Sequence, residues 1–351
     1  MFLTRPHLFD RTEACTRFLA DTGYAAGHRA PVSGDASNRR YERINTGTGS
    51  VILMDAPAEK GEDVRPFIRI ARHLRAIGLS APEILSEDPE DGFLILEDLG
   101  DDLYARLLKP LEGADLRAQE NRLYSAATDV LVALHRAPYP ADLPRYADVM
   151  PNLAALPFDW YLPALGMSAP DARSALVGTM ADALAGIARA MPEVMILRDY
   201  HAENLLWLPD RDGPARVGLL DFQDAMVGHP AYDLVSMLQD ARREVLPETE
   251  TAMIARYCDA TGAEPEAFTR AYRLLGLQRN MRILGVFARL CLRDGKPHYV
   301  DLIPRVWGHL QRDLDDPSLA AFAAILRPAL PEPTPDRLKT LKDLCGTRRT
   351  A

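Results

Sequence analysis

The stretch LRDYHAENLLWL, residues 197–208, sets Asp199, His201, Glu203 and Asn204 within six positions and then turns abruptly apolar. Asp, His and Asn are ordinary loop residues, so a polar loop by itself says little. The same run also describes a loop that carries reacting groups on a rigid scaffold. Its surroundings decide between the two. Upstream, VMIL (194–197) reads as a strand; downstream, LLWLP, DRDG and ARVGLLDF read as a hairpin ending at Asp221. The order is therefore strand, D-x-x-x-x-N, hairpin, D-F. Asp and Asn at this spacing recur by chance, and the spacing alone is weak. The donor chemistry carries more. Asn204 and Asp221 offer the hard oxygen ligands that Mg²⁺ prefers, and that ion keeps several waters besides. Asp199 would then orient a hydroxyl nucleophile and accept its proton, which is most of what a protein base does in phosphoryl transfer. His201 could offer a donor to the transferred phosphate.

Working outward, the front of the chain is strand-rich. Residues 9–23 have helical apolar spacing and stop at Gly23. RRYERI and VILM flank Thr46-Gly47-Thr48-Gly49 as a hairpin. Residues 63–78 place Phe67, Ile70, Leu74 and Ile77 at helical spacing, with Gly78 as the stop. FLILEDLG (93–100) reads as a buried strand. Beyond about residue 101 helices dominate, beginning with 115–136; a proline- and aromatic-rich stretch, 138–165, interrupts them. This predicts an α+β, two-lobed fold: a small antiparallel sheet lobe over residues 1–98 and a larger helical lobe over 99–351.

Bulk properties bound the function. In 351 residues, 41 Lys+Arg against 50 Asp+Glu give a net charge of −9, which argues against a broad nucleic-acid or anionic-membrane surface. No apolar run reaches the length of a membrane span, and the first residues lack a signal peptide's apolar core. The four cysteines form no C-x-x-C pair and suggest neither zinc nor a disulfide framework, so a reduced cytoplasm is the expected setting. No obligate protein partner is evident.

The loop and the segment after it resemble the aminoglycoside phosphotransferase and choline kinase-like branch of the protein-kinase fold. GHPAYDLVSML (228–238) matches that branch's G-x-P-x-Y-D-L motif, and Leu134-His135 its L-H helix end. Within the branch, S-G-D-A-S-x-R-R-Y, L-x-D-Y-H-x-x-N and QRNMRILGVFARL are similar to bacterial anomeric kinases of N-acetylmuramate and N-acetylglucosamine, which serve cell-wall recycling. The likeness runs over roughly residues 10–310. It implies ATP and Mg²⁺ as cofactors and an amino-sugar substrate. Asp199 would be the base, and Asn204 and Asp221 the metal ligands. Asp233 would brace the loop, and Glu97, Asp98 and Leu99 would form the adenine hinge. Trp160, Tyr200 and Arg198 are the acceptor-side candidates, with Tyr161, Arg279 and Arg282 as further ones. His135 is read as structural.

The chain departs from the pattern at two places. The position that usually carries a phosphate-gripping basic residue is Met54, and residues 64–78 contain no acid to pair with one. Losing both is self-consistent, because either charge alone would lie unpaired in a partly buried cleft. The candidates to replace the basic residue are Arg39, Arg40 and Arg43 on the strand and Arg69 and Arg72 on the helix; alternation puts Arg39, Tyr41 and Arg43 on one face and Arg40, the favoured one, on the other. SGDASN holds one glycine, so Ser37 and Asn38 with backbone N–H groups are the expected phosphate contacts. Leu197 stands where a histidine is often found. An amino-alcohol or aminoglycoside kinase and a nucleotide-binding pseudokinase stay open as alternatives.

Overall fold

The computed structural model describes residues 10–32 and 38–348. The chain divides into two compact units, Met1–Asp102 with Leu206–Asp224, and Leu103–Leu205 with Ala225–Ala351. This differs from the expected division at 98/99. The boundary falls slightly later, and the hairpin after Asn204 belongs with the front of the chain.

The first unit is built on strands β1 (His28–Val32), β2 (Arg40–Thr46), β3 (Gly49–Asp55), β4 (Ile84–Asp88) and β5 (Phe93–Glu97). They form one antiparallel sheet in the order β1-β2-β3-β5-β4. Register decides which side chains share a face. Arg40 pairs with Asp55, and Tyr41 with Met54. One face carries Ile44, Val51, Leu53, Phe93 and Ile95, and the Arg11–Asp21 helix covers it with Ala14, Cys15, Phe18 and Leu19. Asp10 caps that helix by accepting from Thr12 and Glu13 N–H. The Arg65–Ala76 helix buries Phe67, Ile68, Ile70, Ala71 and Leu74, and Gly78 comes after it at φ +82°, which a glycine adopts without strain.

A two-stranded sheet, β7 (Leu205–Trp207) with β8 (Val217–Leu219), carries the later hairpin. It is tied into the first unit by backbone and side chain. Trp207 N–H donates to the Asp102 carbonyl (2.8 Å), Leu219 N–H to Ser80 O (2.9 Å) and Ser80 Oγ to Ala215 O (2.6 Å), while Arg211 ion-pairs with Glu97. Gly218 has a packing reason: a Cβ there would lie 3.0 Å from Leu206 Cβ and 3.2 Å from Leu99 Cδ1.

The second unit is helical, organised around the buried helix Pro265–Leu292. Gly285 lets the short Leu156–Asp159 turn press against that helix; a Cβ would meet Leu156 and sit 2.7 Å from Pro157 N. Strands β6 (Val194–Ile196) and β9 (Met226–Gly228) pair antiparallel. They lead into the 197–204 loop and out into the Ala231–Leu238 helix, every residue of which is buried. His135, at the end of Gly113–Arg136, hydrogen-bonds Tyr257 Oη at 2.7 Å, and burial pushes it down to about 3. All four cysteines are free. Among the described residues no helix is long and apolar enough to cross a membrane.

Candidate active site

The catalytic-loop candidate is held in a bent, strained form. Arg198 has φ +72° and Asp199 N–H donates back to the Leu197 carbonyl at 2.9 Å, a tight γ-turn that non-glycine residues rarely adopt. Three bonds from the Ala231–Leu238 helix hold it there. Asp233 is fully buried, and its two oxygens accept from Leu197 N–H (2.6 Å) and Arg198 N–H (2.9 Å). Ser236 Oγ donates to the Arg198 carbonyl at 3.2 Å. Burial pushes the Asp233 carboxyl up to about 7, against the two N–H donors and Arg279, which favour its charge.

Asp199, projected from this turn, is half-buried. Burial raises its pKa, but Arg282, Arg279, His201 and Arg198 together outweigh that and hold it below the usual carboxylate range. It is therefore ionised near neutrality. Asn204 closes the loop. Its N–H donates to His201 O (2.8 Å) and its Nδ2 to the Asp199 carbonyl (2.9 Å). With the amide nitrogen turned inward, Oδ1 is the atom chemically able to ligate a hard cation.

Two loop candidates, His201 and Tyr200, lie inward. His201 is 6% exposed, and burial lowers it to about 4. Its Nε2 faces Asn204 Nδ2 (3.4 Å) and Arg242 Nη1 (3.3 Å), both donors, so Nε2 is an acceptor and the ring is neutral. The ring supports the loop from within, and its remaining N–H is Nδ1, which is buried. Tyr200 is 2% exposed, and its hydroxyl donates to Ala127 O (2.8 Å), which anchors the loop. Glu203 ion-pairs with Arg242 at 2.6 Å. On the acceptor side, Arg198 lies over the Tyr146 ring at 5.0 Å. Trp160 is half-buried between two short helical turns, while Tyr161 is wholly buried and bonds Pro331 O at 3.0 Å.

Asp221 lies in the first unit. It is the other non-glycine residue with a left-handed backbone, φ +55°, and its Oδ1 accepts from Gln223 Nε2 at 2.7 Å. Phe222 is fully buried and stacks on Phe67 at 4.8 Å, which fixes the turn. Nearby within the same unit, Tyr41 feels the charge of Asp221 and hydrogen-bonds Arg39. Arg39 Nε in turn pairs with Glu62 Oε2 at 2.9 Å, the side chains being 11% and 13% exposed.

Arg40, the favoured candidate, and Arg39 lie in different surroundings, Arg40 being exposed. The Arg40–Asp55 register puts it on the face that the Arg11–Asp21 helix covers, where Asp55 pairs with Arg11. Arg39 lies with Tyr41 on the Met54 side, and Met54 is fully buried. A partner acid does exist. It is Glu62, just ahead of residues 64–78 and outside the helix. Arg43 is engaged by Asp98 (2.6 Å) and Asp101 (2.8 Å), and Arg72 by Glu87 (2.8 Å). Asn38 is also tied inward, its N–H to Glu62 Oε1 (2.9 Å) and Nδ2 to Lys60 O (3.2 Å). Ser37 lies outside the described residues.

At the expected hinge, Asp98 accepts from Arg43, from Ser50 Oγ (2.6 Å) and from Gly100 N–H (3.0 Å). Burial works against its charge, but these donors win and hold the carboxyl low. Glu97 receives Arg211 and Arg75 and also Glu83 N–H (3.2 Å). Leu99 packs against Gly218. Side chains thus fix this segment from both ends.

Comparison with known proteins agrees with the geometry. A profile of the phosphotransferase enzyme family matches residues 28–271. The chain is 41% identical to a Caulobacter vibrioides protein named N-acetylmuramate/N-acetylglucosamine kinase, over 90% of this chain and 95% of that one. It is 35% identical to a protein of the same name from Pseudomonas aeruginosa, over 84% and 87%. Among solved structures, a choline kinase from Streptococcus pneumoniae superposes with a TM-score of 0.60 at 14% identity, covering 86% of this chain and 99% of that one. A choline/ethanolamine kinase family protein from Mesorhizobium loti gives 0.59 at 14%, covering 95% and 100%. The family match spans more than half the chain and the fold is that of these kinases, so the chain belongs to the phosphotransferase enzyme family.

Proposed function

We propose that the protein is an ATP- and Mg²⁺-dependent kinase that phosphorylates an amino sugar, at the anomeric hydroxyl of N-acetylmuramate or N-acetylglucosamine. The observation that carries this reading is the ionised Asp199 on a γ-turn clamped by Asp233, in a chain whose relatives bear that kinase name. Asp199 orients the acceptor hydroxyl and takes its proton as the sugar oxygen attacks the γ-phosphorus and the bond to the β,γ-bridging oxygen breaks. Because the Asp199 carboxylate is a weak base, its contribution is mainly to align the hydroxyl and receive the proton late. Asn204 Oδ1 and the Asp221 carboxylate are each the kind of hard oxygen donor that Mg²⁺ takes, and they are the residues that would hold it. When bound, the ion neutralises phosphate charge. Arg39, anchored by Glu62, takes the phosphate-gripping role that Met54 does not fill, and the 97–99 backbone meets the adenine.

An amino-alcohol or aminoglycoside acceptor fits less well. Its ammonium groups would face Arg198, Arg279 and Arg282 around Asp199. The direct test is ADP release with N-acetylmuramate, N-acetylglucosamine, choline and an aminoglycoside, beside Asp199→Ala. Turnover confined to the sugars and lost in the variant supports the proposal. Turnover with choline or the aminoglycoside alone would replace the acceptor, and no turnover with any of them would discard the enzymatic reading.

A further inference from the structure

The helix Pro265–Leu292 carries two guanidinium groups whose charge reaches Asp199. Arg279 is 4% exposed and anchored at Nη2, which donates to Ser236 Oγ at 2.7 Å. Its Nε and Nη1 are buried with no acceptor among the described residues. Buried donors without partners are uncommon, and each calls for an explanation. Arg282 lies three positions on, on the same side of the helix, and is half-buried. Burial disfavours its charge, but Tyr232, Tyr146 and Asp199 restore it. Arg198 adds a third cation, held over Tyr146. Against these stand two acids. Asp233 has both oxygens on backbone N–H groups, which leaves Asp199 as the carboxylate facing the arginines. The surroundings of Asp199 therefore carry excess positive charge, and Arg279 holds two buried donors that lack an acceptor among the described residues. An oxyanion of the substrate supplies the kind of acceptor that such donors lack.

We infer that Arg279 and Arg282 receive a carboxylate of the acceptor, so that the enzyme favours an acidic amino sugar over its neutral counterpart. The inference rests on the amino-sugar reading above. It makes the lactyl carboxylate of N-acetylmuramate, which N-acetylglucosamine lacks, the feature recognised. The transferring phosphoryl group is the other oxyanion such a pair could meet, and substrate chemistry separates the two.

The test compares kcat/KM for N-acetylmuramate, its methyl ester and N-acetylglucosamine, in the wild type and in Arg282→Gln and Arg279→Lys. The wild type is expected to prefer the acid over the ester by about tenfold or more, the discrimination typical of a charged hydrogen-bonded pair. In the variants that ratio should collapse toward unity. A ratio that survives in both variants overturns the inference, as do equal losses on all three sugars, which would assign the arginines to the phosphoryl group. The wild-type ester comparison alters only the substrate, so it decides even if a variant fails to fold; parity there with full turnover overturns the inference alone. Absence of turnover with any sugar would remove the kinase reading and this inference with it.

Discussion

Asp199 shows how much of the site a local motif can carry. The placements of Asp199, Asn204, Asp221 and Asp233 on loop, turn and helix were legible because each belongs to a short run whose order along the chain is itself the signal. Those of Tyr200 and His201 were not, because a ring in a polar loop reads the same whether it points outward or into the core. The structure turns both inward. Asp199 carries the sharpest prediction at this scale. Asp199→Asn keeps the size and removes the proton acceptor, so kcat should fall by about 10²–10⁴-fold, read from initial rates at saturating sugar and ATP. An activity within a few-fold of wild type would remove Asp199 from the chemistry. With its pKa held low, the ionised form persists well below neutrality. The acid limb of kcat/KM should therefore lie at or below the ordinary carboxylate range and not near pH 6.

Among elements, the choice between Arg39 and Arg40 for the phosphate turns on the faces of the front sheet. Alternation separated Arg39 from Arg40 correctly, but it could not say which face a helix would cover. The Arg11–Asp21 helix covers the face of Arg40, and Glu62 precedes the Arg65–Ala76 helix on which an acid was sought. Arg39→Ala should raise the KM for ATP by about tenfold, the scale of a charge-assisted contact, whereas Arg40→Ala should stay within about twofold. The reverse ranking would favour Arg40. Packing offers an independent check in the other unit. Gly285→Ala forces a Cβ into Leu156 and Pro157, and urea unfolding should register a loss of about 1–3 kcal/mol. The reason for that glycine lies in a helix contact distant in sequence, so periodicity alone could not reveal it.

For the molecule as a whole, the front sheet and the helical remainder were readable from hydrophobic spacing, because strands and long helices announce themselves by period. The allocation of Leu206–Asp224 to the front unit was not, since it depends on hydrogen bonds to Ser80 and Asp102. Buried titratable groups give the whole chain a distinctive acid response. Burial lowers His135 to about 3 and His201, His229 and His309 to about 4. Each is protonated on unfolding below about 6.5, so each contributes stability that grows as pH rises from about 4 to 6.5. Asp233 and Asp313, raised to about 7, act oppositely. Four histidines outweigh two carboxyls, so the melting temperature should be lower at pH 5 than at pH 6.5. Thermal unfolding at the two values checks this, and a higher Tm at pH 5 would mean that the histidines are charged in the folded state. Above pH 6.5 the carboxyls act alone and the curve should flatten or dip.

The central claim is that Asp199 directs the γ-phosphoryl of ATP to the anomeric oxygen of an amino sugar. Proton-coupled ³¹P NMR of the product formed from N-acetylmuramate tests it most directly, with Asp199→Ala run in parallel. The account predicts a phosphorus signal split by the single proton at C1 and no such signal from the variant. A phosphorus coupled to the two methylene protons at C6, or a product signal that persists without Asp199, would contradict it.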